Sequence, residues 1–507
     1  MCTMKKTNLE SKISALSIEY QQVLKKHPAL WQLFEGLIKM VEKQQLEIEK
    51  QQAEIKELRY EVKRLQNQLQ LDSHNSSKPP STDLSRSTSR KKEVNCRSTT
   101  KRKPGGQPGH PGSTLQAVAT PDHTILHRAS ICSHCGEDLS SIATEKIEKR
   151  QVFDLPPLIL AITEHQAEVK TCSHCHQEVK AGFPSGINQP VQYGERVVYL
   201  NQYQLLPHER VREVFQDLLG QSISQGTLLN ALKTSYHNLE DTENWIKSRT
   251  LHSPVVHCDE TGIYRNSKRI WLHSASTKEF TYYFPHSRRG KVAIDEAGIP
   301  PSYRGVAIHD HWEAYNSYPS CTHAFCNCHH LRELTQIYEQ EGASWAKEMK
   351  ELLLEIKEQV DRAKDAGRYA LEPELVSFYH HRYQTILTPA LQIYSREDTR
   401  DKPRRGRKKQ SKAKNLLDRL IKYQKETLRF MEDFQVPFDN NLAERDLRMV
   451  KVKQKISGCF RSEKGTNYFC RIRGFISTVR KQGKDILECL SQTFQPSKAG
   501  TILLPGG

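Results

Sequence analysis

Phe34, Val41, Ile48, Ile55, Val62 and Leu69 recur every seven residues, and Leu37, Gln44, Gln51, Leu58 and Leu65 fall three positions after the first five. Apolar residues at the a and d positions of a heptad make a seam along one side of a helix, which predicts a coiled coil within residues 1–72. Glu47–Gln70 has too few apolar residues off the seam for a helix buried in its own domain, so homo-oligomerisation is the expected role rather than internal packing. Gln44 and Gln51 at d weaken the N-terminal half and restrict its register. Residues 73–120, rich in Ser, Pro, Gly, Lys and Arg, then read as a flexible basic linker.

Helical periodicity returns in residues 186–250, where Glu195–Leu206, Pro207–Leu219 and Ser224–Leu239 read as three helices. Pro207 suits a first turn and Gly220 a stop. The last two resemble a helix-turn-helix whose second helix would present Gln225, Thr227 and Asn230 to base edges, although helical hairpins also occur without DNA. The pattern then becomes β-rich: a run into Asp259, then Lys268–Ser274, Phe280–Phe284, and Val306–Ile308 into Asp310. Strand, strand, strand, helix, strand is the succession of a ribonuclease-H-like core, here predicted over 251–465. The Glu-, Lys-, Leu- and Ala-rich stretch Leu331–Leu387 predicts a helical insertion in it, about residues 331–430, and 466–507 a C-terminal helix and tail. The expected fold class is multidomain α/β, a mixed sheet flanked by helices and preceded by the coiled coil, a zinc-binding segment over 121–185 and the helix-turn-helix-like region.

Asp259 and Asp310 each end an apolar, β-prone run, and Glu444 lies on a polar helix. An Asp after a strand is more often a turn or cap residue than a catalyst. Three acids converging from different elements are, however, what two divalent ions need to clamp the attacking and leaving oxygens of a phosphoryl transfer. Two Mg²⁺ or Mn²⁺ ions are therefore expected on Asp259, Asp310 and Glu444. Arg448 and Lys451, four and seven residues after Glu444, share its helix face, and with Arg445 they place cations beside a phosphate. Leu442, Leu447 and Val450 give that helix its buried side, and Asn440 or Asp439 its cap.

The 507 residues carry a net charge of +17 and a pI near 9.2, which favours a polyanionic partner such as double-stranded DNA. The charge is clustered. Residues 84–103 are basic, and Lys402–Lys414 holds eight basic residues and no acid, with Arg404, Arg405, Arg407, Lys408 and Lys409 at its centre. Such runs contact phosphates without reading sequence. No apolar stretch approaches the roughly 20 residues that span a bilayer and the N-terminus has no signal core, so a cytoplasmic, nucleoid-associated protein without membrane contact is expected.

Of thirteen cysteines, four stand in two identical knuckles, Cys132-Ser-His-Cys135 and Cys172-Ser-His-Cys175. Four thiolates match one closed structural Zn²⁺ site, with redox pairs or buried thiols as the alternatives and His134, His174 and His176 near enough to replace a ligand. A second cluster, Cys326-Asn-Cys328-His-His330, leaves metal binding as one reading, but adjacent side chains do not easily enclose one ion, so a cluster without metal is the preferred one.

Asp259-Glu-Thr-Gly262, Asp310-His-Trp-Glu-Ala-Tyr315 and Asn440-Asn-Leu-Ala-Glu-Arg-Asp-Leu-Arg448, followed by Lys455-Ile-Ser-Gly-Cys-Phe-Arg-Ser462, resemble the DDE transposases of the insertion sequence 66 family. Asn75-Ser-Ser-Lys-Pro-Pro-Ser81 and Gly105-Gly-Gln-Pro-Gly-His-Pro-Gly112 agree with it. The resemblance implies that Asp259, Asp310 and Glu444 are catalytic, that the cysteine segment binds zinc, and that accessory proteins encoded nearby assist some relatives. The implied function is metal-dependent nicking at the ends of an insertion sequence and 3′-hydroxyl strand transfer to target DNA. A non-catalytic zinc and helix-turn-helix regulator would leave the three acids idle, and a nuclease with the same core would nick without joining.

Overall fold

The computed structural model describes residues 26–69, 71, 75–76, 117–153, 162–183, 187, 197–397 and 410–494. The chain divides into two units, Met1–Arg90 with Arg332–Ala346, and Lys91–Leu331 with Lys347–Gly507.

In the first unit the heptad-bearing segment forms one helix, α1 (Pro28–Leu69). Its seam residues Leu37, Val41, Ile48, Ile55, Leu58, Val62, Leu65 and Leu69 are 46–66 % exposed in the single chain. Gln340 donates to the Asn67 carbonyl at 3.2 Å, and Asn75 to the Glu339 carboxylate at 2.8 Å. Most of the predicted basic linker lies outside the described residues.

The second unit is mixed α/β. A two-stranded antiparallel ribbon, β1 (Val169–Thr171) and β2 (Glu178–Lys180), precedes a turn of π-helix at Tyr199–Tyr203 and three helices, α2 (His208–Leu219), α3 (Gln225–Asn238) and α4 (Glu240–Leu251). The helix expected to reach Leu206 stops at Tyr203, because Leu205 turns to a φ of 61°. Gly220 ends α2 in the left-handed conformation that its missing Cβ allows, at φ 64°.

The main sheet follows: β3 (Val255–Arg265), β4 (Lys268–Ser276), β5 (Thr281–His286), then α5 (Lys291–Ala297), β6 (Val306–His309) and β7 (Thr322–Phe325). Its order is β5-β4-β3-β6-β7, with the first three strands antiparallel and β6 and β7 parallel to β3. This mixed sheet flanked by helices is consistent with a ribonuclease-H-like core. Between β7 and the last helices run α6 (Asn327–Glu341) and α7 (Ser344–Asp365), whose Arg332–Ala346 part belongs to the first unit, then α8 (Pro373–Glu397), α9 (Lys412–Lys422) and α10 (Gln424–Glu432). In this helical stretch Leu352, Leu353, Ile356, Tyr383, Leu416, Leu420 and Leu428 are buried. The chain closes with α11 (Asn441–Ser457), α12 (Glu463–Lys481) and α13 (Ile486–Gln492).

Alternation along β3 assigns its two faces. Val256 and Cys258 pack with Ile294, Ile299, Tyr303 and Tyr315 on one side. On the other, Ile263 joins Ile270 and Leu272 of β4 against Leu447 and Val450 of α11 and Phe469 of α12. The two-residue period puts His257 and Asp259 on that same α11 side.

Candidate active site

Asp259 does not end its strand. β3 continues to Arg265, because β4 supplies a ladder from His257 to the turn at Asn266 and Ser267. What ends near Asp259 is the pairing with β6, which covers only Val255, Val256 and His257. His257 is level with Ile308 in that parallel register, so two residues on, Asp259 is level with Asp310, immediately past β6. Equal steps along adjacent strands keep both carboxylates on one face.

The third acid comes to that face through α11, where Glu444 sits in the first turn. Asp439, one residue before the N-cap position, accepts the Asn441 N–H through Oδ1 at 3.0 Å. Asn440, the other predicted cap, makes no cap bond: its Nδ2 donates to the Cys258 carbonyl at 2.8 Å and its Oδ1 lies 2.8 Å from His257 Nδ1. Two residues after Glu444, Asp446 accepts from Ser276, Thr281, Ser477 and Lys481, and Tyr283 donates to its carbonyl. α11 is thereby bolted to β3, β4, β5 and α12 on both sides of Glu444.

Burial, then the neighbouring charges of Glu260, Asp310 and Glu444, push the Asp259 carboxyl well above its ordinary range. Asp310 Oδ1 accepts the Trp312 N–H at 2.9 Å. Glu444 Oε1 is buried and accepts no hydrogen bond among the described residues, with His329 Nε2 3.9 Å away. An acid held up by desolvation and like charge, beside an orphaned carboxylate oxygen, is a site that gains from a cation. The hard oxygens of Asp259, Asp310 and Glu444 fit Mg²⁺ or Mn²⁺.

The neighbouring acids point elsewhere. Glu260 is directed to the opposite face, where Arg289 holds it at 2.6 Å and the Tyr315 hydroxyl at 2.8 Å. Arg289 itself lies 4.8 Å from the Trp271 ring and 4.3 Å from that of Trp312, a stack not anticipated from the sequence because its members come from three separate segments. Glu313 is exposed.

Arg445 and Arg448 are exposed on α11, whereas the Lys451 ammonium donates to the Gly262 carbonyl and so braces β3. Lys453 is half-hidden on the same helix, and burial lowers it to about 8. On α3, Gln225 and Asn230 are exposed, Gln225 donating to Glu209 at 3.2 Å, while the Thr227 hydroxyl lies 2.9 Å from the capping Ser224 hydroxyl. Arg404, Arg405, Arg407, Lys408 and Lys409 lie outside the described residues.

The two cysteine knuckles share one backbone pattern. Cys132 N–H donates to the Glu137 carbonyl and Gly136 N–H to the Cys132 carbonyl; Cys172 donates to Gln177 and His176 to Cys172 in the same way. The fifth residue is left-handed in each, Gly136 at φ 79° and His176 at 55°. N–H groups of His134 and Cys135 face the Cys132 sulfur, and those of Cys175 and His174 face Cys172, lowering both thiols toward the ligating thiolate. Among the described residues, no three of these four sulfurs lie within 4.8 Å of one another. The second cluster is not made of adjacent residues alone, since Cys326 and His329 meet Glu444 from α11.

Residues 195–468 match the Transposase IS66 family. The chain belongs to that family. Residues 129–176 of this IS66-family transposase match the zinc-finger binding domain of transposase IS66, which contains both knuckles, and 32–116 match a family of unknown function. No match was found among curated proteins. The family supports transposase function, and the zinc-finger match supports a bound zinc ion. Among the described residues no helix is long and apolar enough to cross a membrane.

Proposed function

We propose that this transposase nicks DNA at the ends of its insertion sequence and joins the freed 3′-hydroxyl to target DNA at Asp259, Asp310 and Glu444 of a ribonuclease-H-like core. The observation that carries the reading is that the charges of Asp310 and Glu444 act on Asp259, with the paired His257 and Ile308 two residues before the two aspartates. The three carboxylates would hold two Mg²⁺ or Mn²⁺ ions, which supply activation of the attacking oxygen and charge neutralisation at the phosphate. Asn440 and Asp446 fix the direction of Glu444, Lys451 braces β3 beside it, and Arg445 and Arg448 contact phosphates without reading sequence.

Gln225 and Asn230 of α3, with Thr227 at its cap, face the element ends, and the basic run at Arg404, Arg405, Arg407, Lys408 and Lys409 adds sequence-independent attraction to double-stranded DNA. Cys132, Cys135, Cys172 and Cys175 close around one structural Zn²⁺, drawing the knuckles together. The open seam of α1 pairs with that of a second copy, since a long apolar stripe is stabilised by burial. Accessory proteins encoded beside the element would act on this assembly.

The test uses element-end DNA with Mg²⁺, Mn²⁺ or Ca²⁺. Nicking is expected with the first two, little with Ca²⁺, whose looser coordination misplaces the reacting oxygens, and none in the three single alanine variants. Metal-independent nicking would overturn the reading.

A further inference from the structure

Cys326 Sγ, a His329 ring nitrogen and a Glu444 carboxylate oxygen all lie within 4.8 Å of one another. Cys326 is buried at the head of α6 and His329 follows one turn along, so both present to the same side. Glu444 arrives from α11, and the Asn440 N–H, pointing at Cys326 Sγ from 3.2 Å, holds the two elements together there. Metal–ligand lengths of about 2.0–2.3 Å separate tetrahedral zinc ligands by roughly 3.5 Å, so small side-chain movements close the set around one ion. Glu444 Oε1 is itself a buried oxygen with no hydrogen-bond partner among the described residues and has His329 Nε2 3.9 Å away, an arrangement that a shared cation would satisfy.

The donors are not those of a magnesium site. Thiolate and imidazole favour Zn²⁺ and similar soft or borderline ions, whereas Mg²⁺ prefers oxygen. We propose that Cys326, His329 and Glu444 form a second site for a transition-metal ion of the Zn²⁺ class, distinct from the cysteine knuckles. Because Glu444 is shared, occupancy withdraws it from Asp259 and Asp310 and inhibits the transposase; this consequence rests on the catalytic role proposed above, while the binding itself does not. Three ligands leave one tetrahedral position to water.

The full chain, dialysed against Zn²⁺ and washed, should retain one more zinc per chain by metal analysis than either Cys326→Ala or His329→Ala, while Asp259→Ala retains as much as the parent. Using two separate ligand variants guards against a folding defect in one, and circular dichroism checks both. With Mg²⁺ present, added Zn²⁺ should lower strand transfer by the parent at least about tenfold, and lower that of Cys326→Ala far less relative to its own zinc-free rate. Equal zinc content in the parent and both ligand variants would overturn the site. A zinc difference without inhibition would overturn the regulatory consequence, and unimpaired activity of Asp259→Ala would instead remove the catalytic reading on which that consequence depends.

Discussion

Asn440 donates through Nδ2 to the carbonyl of Cys258 at 2.8 Å, tying the residue before the helix of Glu444 to the residue before Asp259. Two acids that are remote in sequence are thus spaced by one buried side chain, which also meets His257 through Oδ1. Asn440→Ala leaves that carbonyl without its donor, and the fold should lose about 1–3 kcal/mol. Strand transfer should fall more than end binding, because the geometry of the proposed metal ligands loosens while the arginines proposed to contact phosphate remain. Thermal unfolding with paired binding and transfer assays checks this; an equal loss in both assays would contradict a positioning role.

The Asp446–Lys481 pair, 2.6 Å apart with side chains 10 % and 14 % exposed, anchors the other side of α11. Removing one partner strands a buried charge, so Lys481→Met should cost about 3–5 kcal/mol, seen in denaturant unfolding. The double variant Asp446→Leu/Lys481→Met should not restore the parent stability, since the Ser276, Thr281 and Ser477 hydroxyls then lose their shared acceptor.

His273 is buried on β4, and desolvation lowers it to about 4. The unfolded chain takes up its proton near pH 6.5 while the folded chain does so only near 4, so stability is lost as pH falls through that window. The shift corresponds to about 3 kcal/mol at most. His273→Phe should flatten the fall in melting temperature between pH 6.5 and 4; an unchanged slope would place the acid sensitivity on other histidines.

Zinc removal gives a separate readout. Cys172→Ser should lose zinc and loosen residues 121–185, detected by proteolysis, while the thermal transition of the sheet persists. Zinc retained at the parent level would show that the knuckle histidines suffice as ligands.

The strands of the mixed sheet, the helices after β7 and the family resemblance were legible in the sequence, because period-two alternation, the long Glu- and Leu-rich stretch and the acidic motifs each left local marks. The extent of β3 was not. Asp259-Glu-Thr-Gly262 looks like the end of a strand, yet cross-strand hydrogen bonds to Leu272–Ser274 carry it through, and a partner strand is not visible in a short window. Asn440 looked like a cap because Asn usually is one; its bond to Cys258 depends on a segment 182 residues away. The meeting of Cys326 and His329 with Glu444 was hidden for the same reason, whereas the alternation that separates Glu260 from Asp259 could be read directly.

The joining step tests the central claim most directly. Pre-cleaved element ends carrying a free 3′-hydroxyl, incubated with supercoiled plasmid and Mg²⁺, should be covalently joined by the parent chain, with no product from Asp259→Ala, Asp310→Ala or Glu444→Ala despite retained end binding, and with milder losses in Glu260→Gln and Glu313→Gln. Joined product at parental levels from all three triad variants would contradict the assignment of catalysis to Asp259, Asp310 and Glu444.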